Sequence, residues 1–170
     1  MTRPLVTLLA HDNYDRDATL ARVGESLRPL GGMERFVRPG ARVVLKPNLV
    51  FGRASDKAIN THPEIFRAAA ILAREAGAGW IGMGDSPGYG SARAAARACG
   101  LAAVAEEEGV ELVEFTPVED VDQGRAFIRL ELARELLEAD AVVNLPKMKT
   151  HGQMLMTLAV KNMFGAVPGA

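Results

Sequence analysis

Two short runs, Val43-Val44-Leu45 and Ala141-Val142-Val143-Asn144-Leu145, are apolar at nearly every position, and both lead into a lysine and a proline. A strand with one wet face alternates apolar and polar residues. A run without that alternation is buried on both faces, as in a parallel sheet covered by helices. Pro47 and Pro146 bring no amide donor, so each ends the pairing and fixes the direction in which the chain leaves the sheet. Strands are also expected at Leu5–Ala10, which stops at His11-Asp12, at Trp80–Gly84 and at Val110–Phe115. The weakly alternating Ala126–Leu130 reads as one antiparallel addition.

Helical spacing fills the intervals. Asp15 or Asp17 caps a helix whose apolar positions Leu20, Val23, Leu27 and Leu30 recur at three and four. Pro63 suits the first position of a helix running to Ala76, which Gly77 stops. Ser91 caps another as far as Ala98, and a further piece continues beyond Gly100 to about Glu108. Leu132–Leu137 and the start at Thr157–Asn162 are short. Strands alternating with helices predict a single α/β domain over residues 1–170: a mainly parallel, doubly wound, Rossmann-like sheet with helices on both faces. The last segment, Val167-Pro168-Gly169-Ala170, follows a helix with no closing strand, as expected of the N-terminal part of a longer domain.

Composition excludes several classes of function. A net charge of -1 gives no overall attraction to nucleic acid, and 5% aromatic residues leave no base-stacking platform. Cys99 is the single cysteine, so neither an internal disulfide nor a self-contained iron–sulfur cluster can form. Apolar runs fall short of the roughly 20 residues of a membrane span, and the brief Leu5–Ala10 run lacks a signal-peptide pattern. A cytoplasmic address, without membrane or nucleic-acid partners, is the expectation.

Ligands of open α/β sheets bind beyond the carboxyl ends of the strands. Those exits hold His11 and Asp12, then Lys46 and Asn48, then Asp85 and Ser86 in a glycine loop, then Lys147, Lys149 and His151. Spaced by two, the last three share one side of an extended chain. Close ammonium groups repel unless an anion or carboxylate answers them, and no acid follows Asp140 in this stretch. The loop Gly82-x-Gly84-x-x-x-Gly88 departs from the dinucleotide fingerprint by one residue, so it is read as a generic ligand loop. Asp85 facing lysines fits a Lys–Asp pair that poises a base, or Mg²⁺ held beside a phosphate; a turn cap with Ser86 is its plain alternative.

Five motifs carry a family resemblance. They are Val44-Leu45-Lys46-Pro47-Asn48-Leu49-Val50, Thr61-His62-Pro63-Glu64, Gly84-Asp85-Ser86-Pro87-Gly88, Asn144–His151 and Val160-Lys161-Asn162-Met163-Phe164-Gly165. In this order the chain resembles domain of unknown function 362, specifically the N-terminal portion of that domain. The resemblance implies a redox setting, since many members carry a ferredoxin-like two-cluster 4Fe-4S segment after the domain. Any such cluster would sit on a further segment or a partner, because this chain lacks the thiolates.

Three functions follow as expectations. The first is an enzyme-like site for a small anion, carboxylate or phosphate. In it Asp85, His151 and Lys147 do the chemistry, while Lys46, Asn48, His62, Ser86, Lys149, Lys161 and Asn162 bind and orient the substrate. The second is a non-catalytic module that docks an iron–sulfur domain or subunit through Met148–Phe164. The third, weakened by the nearby lysines, is a Zn²⁺ or Fe²⁺ site from His62, His151 and Asp85, with or without His11. A homo-oligomer is compatible with each.

Overall fold

A computed structural model describes residues 4–120 and 130–168. Its centre is a parallel sheet of β1 (Arg42–Pro47), β2 (Trp80–Met83), β3 (Glu111–Leu112) and β6 (Ala141–Leu145), in the order β3-β2-β1-β6. In register, Val43 stands between Ile81 and Ala141, and Leu45 between Met83 and Val143. These odd positions of β1 point into a core formed with Phe66, Ala69 and Ala73 of α2 (Pro63–Glu75) and with Leu101 and Val104 of α4 (Leu101–Glu107). Short alanine side chains let α2 lie close against the strands. Arg67 of α2 bonds Glu108 at 2.9 Å, which ties α2 to the end of α4.

Caps mark the helix starts. Asp15 accepts from the Ala18 amide ahead of α1 (Arg16–Leu27), and Ser91 accepts from the Ala94 amide ahead of α3 (Ala92–Ala98). The His62 side chain does the same for Glu64 at the head of α2, with Pro63 in the first turn. Past Leu27 the chain tightens into a 3-10 turn, Arg28–Leu30, and Gly31 ends it at φ 94°.

Two small antiparallel pairs complete the mixed α/β architecture, which has the Rossmann-like character expected. β4 (Pro117–Asp120) pairs with β5 (Leu130–Ala133), and α5 (Arg134–Leu137) follows directly. Most of the expected Ala126–Leu130 strand, residues 126–129, lies outside the described residues. β7 (Lys149–His151) folds back on β8 (Leu155–Thr157), which leads into α6 (Ala159–Asn162) and a 3-10 turn, Met163–Ala166. Lys46 and Asn144 face the side of the sheet opposite the α2 core, and residues 159–165 cover them there.

The structure corrects the expected first strand. Leu5–Ala10 is irregular, with Leu5, Val6 and Leu8 exposed, Leu8 to 93%. The Thr7 hydroxyl donates to the Ser26 carbonyl, so the segment lies along α1 and pairs with no described strand. β-Branched, apolar sequence favours a strand only where a neighbouring strand is present to bond it. The Val110–Phe115 expectation contracts to the two residues of β3, and the expected Leu132–Leu137 helix begins only at Arg134.

Candidate functional site

β1 delivers Lys46 to the carboxyl end of the sheet, where it is fully buried. Its ammonium bonds Asp85 Oδ1 and, at 2.7 Å, the Asn162 carbonyl. Asp85 follows β2, and its Oδ2 accepts from the Leu49 amide at 2.7 Å. Burial pulls Lys46 below the ordinary lysine range and pushes Asp85 above the ordinary carboxylate range. Each charge partly restores the other, and the Leu49 and Ser86 amides add support for the carboxylate.

Gly165 closes over this pair. A Cβ there would overlap Asp85 Oδ1 and come within 2.9 Å of Lys46 Nζ, so only glycine lets the 3-10 turn lie so close. The Ser86 amide donates to the Gly165 carbonyl at 3.2 Å, which links the loop after β2 to that turn. Asn162 is buried beside them; its amide nitrogen donates to Asn144 Oδ1 at 2.7 Å and faces the Lys46 and Pro47 carbonyls. Thr157 Oγ1 and Asn162 Oδ1 are buried without a hydrogen-bond partner among the described residues.

Around this floor lies a cavity of about 200 Å³. Of the predicted site residues, Asn48, Asp85, Ser86, Lys149, His151, Lys161 and Asn162 line it, with Lys46 directly beneath Asp85. Tyr89, Phe164 and Gly165 add walls that the sequence did not single out for the site. A larger hollow of about 540 Å³ between α1 and α2 gathers no comparable set of lysines and histidines.

The lysines reach the cavity from different elements. Lys149 enters from β7 and donates to Asn48 Oδ1 at 2.5 Å and to the Ile59 carbonyl, both neutral acceptors. Burial draws it down to about 8; the attraction of Asp85 opposes this, and repulsion from Lys147 and Lys161 adds to it. Lys161 lies over the Phe164 ring, 4.5 Å from its centre. His151 Nδ1 accepts from the Gln153 and Met154 amides at 3.2 Å, so the proton of its neutral ring sits on Nε2. In the neutral state that ring therefore presents an N–H donor through Nε2.

Lys147 and His62 stand apart from the cavity lining. His62 stacks on Tyr14 with ring centroids 3.5 Å apart, and desolvation lowers its basicity. His11 bonds Thr19 at 2.9 Å, away from the site. The three histidines and Asp85 therefore do not converge, and the described residues contain no group of three or more acids, histidines or cysteines placed to hold a metal. Sequence reasoning missed Thr61 as a brace. Its hydroxyl accepts from the Asn48 amide at 2.7 Å and donates to the Leu145 carbonyl at 2.6 Å, joining the exits of β1 and β6. Asn60 supports the same loop by accepting from the Val50 amide at 2.9 Å.

No helix among the described residues is long and apolar enough to cross a membrane. No solved structure matches the chain. It is 44% identical over 164 residues to a protein of Synechocystis sp. (strain ATCC 27184 / PCC 6803 / Kazusa) described as thylakoid-associated protein sll1697. The match covers 96% of this chain and 51% of that protein, so the chain spans about half the length of the curated relative. The family model described as Domain of unknown function (DUF362) matches residues 43–170, and the chain belongs to that family.

Proposed function

We propose that the cavity at the carboxyl end of the sheet binds a small anion, a carboxylate or a phosphate, and that the domain is a redox-linked enzyme acting on it. The observation that carries this is the charge balance. Among the described residues, Asp85 is the only carboxylate lining the hollow and is already engaged by Lys46, while Lys149 and Lys161 face the hollow with no carboxylate within ion-pair distance. An entering anion would join Asp85 in offsetting the burial, and the lesser lysine repulsion, that lower Lys149. Asn48 and Ser86 would orient it, His151 Nε2–H would donate to it, and Asp85 with Lys46 would handle a proton beside it.

A panel of phosphorylated and carboxylated metabolites titrated into the wild type and into K149A and K161A tests the proposal. At least one ligand is expected to lose about tenfold or more in affinity, roughly 1.4 kcal/mol, with either variant. Affinities unchanged across the panel would contradict it.

A second reading, a non-catalytic module that docks an iron–sulfur partner, draws on the exposed methionines Met148, Met154, Met156 and Met163. It expects a colourless chain alone and a brown complex with its partner. A colourless complex would contradict it.

A further inference from the structure

The sheet stops abruptly at β6. Among the described residues, β6 pairs only with β1, so its outer row of amides and carbonyls has no strand to bond. Edge strands are usually blunted by a bulge, an internal proline or a charge. Residues 141–145 contain none of these, and Val142 is exposed within them.

The chain that follows is equally uncovered. Nine exposed large apolar side chains fall between Val142 and Phe164, against seven in the rest of the described chain. Leu155 is 85% and Val160 89% exposed. Leu155 also holds φ at 60°, a left-handed conformation unusual for a branched apolar residue. A concentration of exposed apolar side chains beside an open strand edge marks an interface. The curated relative is about twice as long as the stretch it shares with this chain, so a similar protein carries about an equal length of polypeptide outside that stretch.

We propose that the open edge of β6, together with the apolar surface of β7, β8 and α6, is the seat of a strand-bearing segment equivalent to the unmatched half of the Synechocystis relative. One of its strands would bond β6 and extend the sheet. Its apolar residues would cover Leu155, Val160 and Phe164. Phe164 also walls the anion cavity, so the same seat would finish one side of that site. The inference stands independently of the ligand.

The test is to co-express the full chain with the unmatched half of the relative, then to measure mass in solution and amide exchange. A one-to-one complex is expected, with exchange slowed about tenfold or more at alternate amides of residues 141–145 and across residues 154–160. L155D is expected to abolish the complex while leaving phosphate binding by the chain unchanged, because Leu155 does not line the cavity. A homodimer giving the same protection would overturn the proposal by making a second copy the occupant. A complex without protection at β6, or no complex at all, would overturn it as well. Loss of phosphate binding in the wild type, with the complex intact, would instead count only against the anion site.

Discussion

Lys46 and Asp85 are a buried pair in which each group makes the other tolerable. Removing one leaves the other charged, buried and unanswered, which costs about 3–5 kcal/mol in comparable cases. Asp85→Asn is therefore expected to lower the urea midpoint sharply, and a hydrophobic double replacement of both residues is expected to recover much of the loss. Gly165→Ala acts on the same pair by steric means, at roughly 1–3 kcal/mol, because the added methyl has only Asp85 and Lys46 to displace. Urea denaturation of the variant reads this directly; an unchanged midpoint would show that the turn can move aside.

Lys149 contributes a distinct part of the response to pH. Its folded value of about 8 lies below the ordinary lysine value of 10.5, so the unfolded chain holds more protons between these limits. This group's contribution to stability therefore rises as pH increases from about 8 to 10.5, and its cost is fully present below about 8. Stability curves of wild type and Lys149→Met should converge as pH climbs through that window.

At the scale of elements, the sequence made the central strands and most helices legible. β1 and β6 could be read because an apolar run and a proline boundary are local properties. The heads of α1, α2 and α3 could be read because Asp15, Pro63 and Ser91 carry their signal in place. Leu5–Ala10 could not, since whether a β-branched run becomes a strand depends on a neighbour that its own residues do not specify. The return strand β8 was missed because Leu155-Met156-Thr157 has no β-branched run to mark it. The two-residue spacing did place Lys149 and His151 on one side of β7, but Lys147 precedes the hairpin and falls outside the cavity.

Thr61 shows the same limit for the site, since a brace between two strand exits is visible only after both exits are placed. Thr61→Val would leave the Asn48 amide and the Leu145 carbonyl without this partner, at about 1–3 kcal/mol. Asn48 would lose its fixed position as well, so anion affinity should fall along with the urea midpoint. A fall in stability with affinity unchanged would separate the brace from the site.

For the whole molecule, the parallel sheet gathers residues distant in sequence at one rim: Asn48 meets Lys149, and Lys46 meets Asp85 and Asn162. Membership of the DUF362 family and the likeness to a cyanobacterial protein describe the chain without naming a reaction, so the charge of the cavity is the strongest guide to its use. The most direct measurement is the calorimetric titration of a bound anion, beginning with inorganic phosphate, in buffers of different ionisation enthalpy. At pH about 8.5, where free Lys149 is partly deprotonated, binding should draw a proton onto it, whereas at pH about 6 Lys149 should take up none. K149A should abolish the uptake at the higher pH and weaken binding at both. Binding with no such uptake in the wild type, or equal uptake and affinity in K149A, would contradict an anion site built around this lysine.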